Sequence, residues 1–264
     1  MRFQTLASSS AGNAALLTCG ESRFLIDAGI SCLRLRKGLE EVGVSLTDLT
    51  AVVITHAHND HTAGLATLLK RCEAPILCSE ETARQLCYRM AGLEGRLRSF
   101  PLGGQTEVAG CLLTSVPTSH DVPGSTGFRF DWDGCSLGYL TDTGVIPPQA
   151  DCLLGTDILF LEANHDVETL RSGPYPYYLK DRVLGAYGHL SNDDAASFAR
   201  EAALQGTGDI ILAHLSQENN TPQMALNTVE AALRGADYHG LLSVAPRAGL
   251  SPVHRSREAA ACRG

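Results

Sequence analysis

The residues with the most chemistry in them stand together just after the apolar run AVVIT. His56, His58, Asp60 and His61 follow it in the order H-x-H-x-D-H. Imidazoles two positions apart on an irregular turn can both face one ion, which leaves Asp60 and His61 for a second. Further candidates lie downstream: His120 after VPTS, Asp142 after GYLT and His214 after IILA. Together the seven suit a dinuclear metal centre. In two-metal hydrolases the ions sit about 3.5–4 Å apart, and a shared water or hydroxide attacks the substrate. Neutral imidazole and carboxylate accept zinc, manganese or iron, and no thiolate narrows that choice. An isolated H-x-H is more often a solvated turn. The tetrad with three further strand-end ligands is not.

These side chains must be positioned by strands. Six apolar runs lead straight into a residue able to bind metal or move a proton: RFLI into Asp27, AVVIT into His56, VPTS into His120, GYLT into Asp142, ILFL into Glu162 and IILA into His214. In layered α/β proteins the functional residues gather where strands end at one sheet edge. Amphipathic helical patterns lie between the strands, at 33–43, 61–72, 79–92, 192–206 and 221–235. Ser79 and Asn192, each followed by acids, suit helix starts. Early strands come as hairpins and later ones alternate with helices, so a sheet-rich core covered by helices is expected. No internal repeat is visible. One domain over 1–250 accounts for the pattern, and the aperiodic 251–264 reads as a loose C-terminal tail.

Bulk properties set limits. With 264 residues, 44% hydrophobic and 19% charged, the chain has the composition of a globular protein with a sizeable core. The nine cysteines show no C-x-x-C spacing, which argues against a zinc ribbon. No apolar run has transmembrane length and the start lacks a signal-peptide pattern, so a reducing cytoplasm is expected. A net charge of −8 weighs mildly against nucleic acid. Two divalent ions would reverse that balance locally.

T-H-A-H-N-D-H and F-L-I-D-A-G resemble the signature motifs of the metallo-β-lactamase superfamily over about residues 1–250. The resemblance implies an α/β fold, a four-layer αββα sandwich with the site at one edge. By position, His56, His58 and His120 would hold one metal, and Asp60, His61 and His214 the other. Asp142 would bridge them and Asp27 would orient a ligand from behind. Further stretches are similar to the WalJ/YycJ-type branch of bacterial exonucleases: SSSAGN (8–13), SHDVP (119–123), EANHD (162–166), GPYPYYLKDR (173–182), GHLSN (188–192) and HLSQENN (214–220). Ala11 departs from that branch and should only lengthen a turn. What this implies is metal-dependent phosphodiester hydrolysis on DNA, from a 5′ end, in a repair setting.

Related elements of tRNA 3′-processing nucleases suggest that His189 protonates the leaving oxygen while Glu162 holds it, with Asp60 also at the chemistry. His165 and Asp166 could either support ligands from behind or order their loop. Tyr175, Lys180 and Arg182 could stack on an end base and touch phosphate, and Asn219 and Asn220 could hold the His214 loop or meet a phosphate. Two other readings stay open: a small-molecule phosphodiesterase or ester hydrolase, and a catalytically silent binding platform.

Overall fold

Strands rich in Val, Leu, Ile and Phe on both faces need cover on both faces, and two stacked sheets flanked by helices provide it. In a computed structural model, residues 1–256 are described; 257–264, part of the expected tail, lie outside the described residues. The first sheet is built from β1 (Arg2–Ala7), β2 (Ala14–Cys19), β3 (Ser22–Ile26), β4 (Ala51–Val53), β5 (Ile76–Ser79) and β6 (Leu97–Phe100). The second contains β7 (Gln105–Val108), β8 (Cys111–Pro117), β9 (Thr126–Trp132), β10 (Cys135–Leu140), β11 (Ile158–Glu162), β12 (Asp209–Ala213) and β13 (Leu242–Val244). A last short strand, β14 (His254–Arg255), returns to pair with β1 in the first sheet.

Both sheets follow one plan. Each begins as an antiparallel meander, β1–β3 or β7–β10, and continues through three parallel steps, β3–β6 or β10–β13. The repeat is one of topology, and no sequence repeat announces it. Phe3, Leu17, Phe24, Phe128, Phe130, Tyr139 and Phe160 fill the space between the sheets, with the Tyr139 and Phe160 rings stacked at 4.6 Å. Truncating one such aromatic to alanine costs about 3–5 kcal/mol.

Helices cover the outer faces. Against the first sheet lie α1 (Cys32–Glu41), α2 (Asn59–Thr62), α3 (Leu65–Leu68) and α4 (Glu80–Arg89); against the second lie α7 (Asn192–Leu204) and α8 (Pro222–Leu233). Two more, α5 (Val167–Ser172) and α6 (Tyr177–Leu184), form an excursion between β11 and α7, and α6 buries none of its residues. The α4 cap is Ser79, as expected, but α7 is capped one residue earlier than expected, by Ser191, whose side chain accepts from Asp194 N. These caps satisfy amide groups that the helices cannot.

Two expectations are corrected. The 61–72 stretch is not one helix: it breaks between α2 and α3, where Gly64 N donates to Ala28 O at 2.8 Å. A Cβ on Gly64 would lie 2.1 Å from Ile30 O, so only glycine permits this approach. The tail is docked over its first six residues. Ser251 Oγ accepts from Thr5 N, buried His254 bonds Asp209 through Nδ1, and β14 adds an edge strand. A two-residue strand without hydrophobic alternation carries too little pattern to be read from sequence.

Candidate metal centre

The strands end together. β3 delivers Asp27, β4 runs on through Ile54 and Thr55 to His56, β8 leads to His120, β10 to Asp142, β11 ends in Glu162, and β12 delivers His214. Asp27, Asp142 and His214 have left-handed backbones, with φ of 60°, 58° and 55°. A non-glycine residue there is uncommon and costs roughly 1–3 kcal/mol where the structure enforces it. At each of these positions the strand gives way to a loop.

Two ligand groups form. In the first, His58 Nδ1 lies 3.1 Å from His56 Nε2 and 3.3 Å from His120 Nε2. Tetrahedral zinc with bonds of about 2.0 Å sets its ligand nitrogens about 3.3 Å apart. In the second, Asp60 Oδ2 stands 3.4 Å from His61 Nε2 and 3.6 Å from His214 Nε2. Asp142 lies between the groups, with Oδ2 3.3 Å from His61 Nε2 and Oδ1 3.9 Å from His120 Nε2. Asp142 Oδ2 and His214 Nε2 are buried with no hydrogen-bond partner. Buried polar atoms rarely stand unpaired, and a cation between them removes the cost. The donor set therefore fits divalent metal.

Neighbours aim the ligands. Asp27 is fully buried; it accepts from His61 Nδ1 at 2.8 Å and from the Thr55 amide and hydroxyl at 2.9 and 3.0 Å. Burial pushes the Asp27 carboxyl up, against the charge and hydrogen bond of His61. Ser8 Oγ accepts from His214 N, tying the end of β1 to the opposite sheet. Arg89 of α4 grips the Ala57 carbonyl and Asn59 Oδ1, clamping the histidine turn from outside. Gly29 lies so close to that turn that a Cβ would sit 1.6 Å from Asp60 O. Thr55 and Ser8 stand inside the quoted stretches T-H-A-H-N-D-H and SSSAGN but were given no role, and Arg89, distant in sequence, belongs to no motif.

Charge divides the centre. Burial and neighbouring imidazoles hold His56 well below the ordinary histidine value. His214 resists its burial: Asp142, Asp60 and Glu162 raise it to about 10, and Asp27 and Asp142 raise His61 likewise. The carboxylates Asp60, Asp142 and Glu162 are correspondingly held ionised, balanced by protons on His61 and His214.

Beside both groups, Glu162 is fully buried. Its Oε1 accepts from His189 Nδ1 at 2.7 Å and from His214 Nδ1 at 3.0 Å, while Oε2 accepts from Thr143 N and Leu190 N. Burial opposes ionisation here, but the His189 charge and the two histidine hydrogen bonds prevail, bringing Glu162 to about 2. His189 keeps 22% exposure and lines a cavity of about 150 Å³ with His120, Tyr175, Arg182 and Asn219.

Some candidate residues fall elsewhere. Asn220 cannot meet a phosphate: its buried amide donates to Ala163 O, Asn164 O and Asn192 Oδ1. Asp166 supports no ligand; it caps α5, accepting from Thr169 N at 2.8 Å. His165 is buried with both ring nitrogens unpartnered, so it makes no hydrogen bond to a ligand. Lys180 Nζ donates to Arg171 O and lies 5.8 Å above the Tyr177 ring. Arg182 is paired with Asp121, its Nε and Nη2 at 2.8 and 2.5 Å from Oδ2. Asp121 was quoted only within SHDVP and given no role, although it also lies 3.5 Å from His58 and His120.

Residues 22–215 match the family described as Beta-lactamase superfamily domain. The chain is 35% identical over 240 residues to exodeoxyribonuclease WalJ of Streptococcus pneumoniae serotype 2, covering 89% of each protein. It is 30% identical over 235 residues to exodeoxyribonuclease YycJ of Bacillus anthracis, covering 88% of this chain and 89% of that one. The solved structure of the metallo-beta-lactamase fold protein YhfI from Bacillus subtilis superposes with a TM-score of 0.71 at 17% identity, covering 95% and 98%.

Proposed function

This chain belongs to the beta-lactamase superfamily, and from that premise we propose that it is a dinuclear metal-dependent nuclease that degrades DNA from a 5′ end. The observation that carries the reading is His189, held by buried Glu162 at the edge of both ligand groups. Hydrolysis of an activated ester does not need a fixed proton donor. Expulsion of a sugar alkoxide does.

His56, His58 and His120 would hold one ion and Asp60, His61 and His214 the other, with Asp142 shared. Two such ions, zinc, manganese or iron, supply a nucleophilic water at neutral pH and positive charge for the phosphoryl oxygens. The chain's own residues do the rest. With Nδ1 bonded to Glu162, His189 presents Nε2 to the departing 3′-oxygen. As a P–O bond forms to the water oxygen and the P–O3′ bond breaks, the 3′-oxygen takes the Nε2 proton. The imidazole then recovers a proton from solvent, into which the attacking water has released its own. Ionised Glu162 stabilises the protonated imidazole and fixes its tautomer. Asp27 and Thr55 keep His61 turned toward Asp60.

A cytoplasmic site of action is supported by cysteines 19, 32, 72, 78, 87, 111 and 152, which are free thiols. No helix among the described residues is long and apolar enough to cross a membrane.

Digestion of 5′- and 3′-end-labelled DNA by metal-loaded protein tests the proposal. A 5′ label should leave at once in small products while a 3′-labelled strand shortens progressively. The opposite order, or internal cuts, would overturn it. Turnover of bis-p-nitrophenyl phosphate without DNA breakdown would move the assignment to a small-molecule phosphodiesterase.

A further inference from the structure

We infer that the cavity beside the centre binds one unpaired terminal nucleoside, so that the substrate is a single-stranded or frayed 5′ end. The inference rests on the nuclease reading above and adds the form of the end. Size comes first. A void of about 150 Å³ holds one aromatic ring, whereas sites for drug-sized ligands run to roughly 300–1,000 Å³. The cavity here measures about 150 Å³. Its enclosed part admits one base, and a pairing partner would have to lie outside it.

The lining suits a neutral, flat, partly polar occupant. Tyr175 and Tyr187 supply aromatic surface, and Leu179 and Val183 an apolar wall. Tyr187 is 67% exposed, the state of a ring awaiting a stacking partner. Asn219 is buried and lines the cavity, yet its Oδ1 has no hydrogen-bond partner. Its side chain adds a polar group to the wall. A terminal phosphate is a poorer fit, because Arg182, the arginine of this lining, is already neutralised by Asp121.

Position gives polarity. His189 is part of the cavity wall. If His189 protonates a 3′-oxygen, the nucleoside in this cavity is the one that carries that oxygen away, and it is the 5′-terminal one. The occupant leaves with a free 3′-hydroxyl, as a nucleoside or, where its 5′ end already carries a phosphate, as a 5′-mononucleotide, and the scissile phosphate stays on the shortened strand. A base must then quit its stack before cleavage, which a mismatched or unpaired base does at least cost.

The test compares 5′-labelled DNA ends on metal-loaded protein: an unpaired overhang, a blunt end closed by G·C, and an overhang whose terminal nucleotide is abasic. The overhang should be cleaved with the lowest KM, and losing the terminal base should raise KM about 5- to 100-fold, the worth of one stacked base. Tyr187→Ala, at an exposed position, should remove most of the difference between normal and abasic ends. Leu179→Trp, which fills the cavity, should raise KM for the normal overhang toward that of the abasic one. Equal rates on all three ends, with DNA still degraded from the 5′ side, would overturn the cavity assignment alone. Failure to degrade any DNA would remove the nuclease reading and the cavity assignment together.

Discussion

Replacing His189 by alanine separates proton donation from every other function of the site. The side chain is held by one short bond, 2.7 Å, to a carboxylate that is fully buried and ionised. Charge-assisted bonds of this kind are about twice as strong as neutral ones. Positioned general acids contribute about 10²–10⁴-fold. At 22% exposure the ring can be partly replaced by solvent water, so a loss near a thousandfold, about 4 kcal/mol of barrier, is expected for DNA. A p-nitrophenyl diester has a leaving group that needs no proton, and its hydrolysis should fall less than about fivefold. The assay measures kcat for both substrates in the wild type and in His189→Ala, with bound metal quantified in each. Equal losses on the two substrates at full metal content would refute the acid role and assign His189 to shaping the site. An undiminished kcat on DNA would refute it outright.

Further expectations concern the metal ligands and their supports. Asp27→Ala leaves buried His61 and Thr55 without their acceptor; it should weaken metal retention against a chelator about 10–100-fold and cost about 1–3 kcal/mol of stability by denaturant titration, and unchanged retention would refute the orienting role. Gly29→Ala drives a Cβ into the Asp60 carbonyl; a loss of at least about 3 kcal/mol is expected, with reduced metal content in whatever folds, and a wild-type melting curve would contradict the packing. His214, raised to about 10, and His61 hold protons in the metal-free protein at neutral pH. Their contribution to metal-free stability is full below the ordinary histidine value near 6.5; that of His214 is lost as pH rises through about 10, and that of His61 falls in the same direction. Metal loading at pH 7 should release about two protons, measurable with an indicator dye in weak buffer, and release of none would refute the exchange.

Strand ends were legible in the sequence because the chemistry is hung on them. Apolar runs stopping at Asp27, His56, His120, Asp142, Glu162 and His214 named a sheet-rich core and the residues that meet, while the two-sheet plan came from the family resemblance. The breaks were less visible. Gly64 interrupts a helical pattern for a tertiary reason, its approach to Ala28 and Ile30, and periodicity carries no trace of that contact. Strands β6 and β7 went unread: Arg98 and Ser99 on β6, and Gln105 and Glu107 on β7, leave little apolar alternation. Asn220 and Asp166 looked like site residues because they stand beside ligands in sequence, yet their side chains are consumed by local hydrogen bonds. Asp121 was hidden for the converse reason. Its partner Arg182 lies 61 positions away, and only folding shows that the cation expected for phosphate is already neutralised.

The backbone twist at Asp27, Asp142 and His214 reaches beyond turnover. Glycine would occupy all three positions without steric penalty, and a chain selected for durability alone would drift toward it. Retaining an acid or an imidazole there is a standing debt of conformational energy, carried only while the side chains are in use. A descendant that abandoned its metals would be free to settle that debt first, so glycine at these corners is where decay of the activity should first be written.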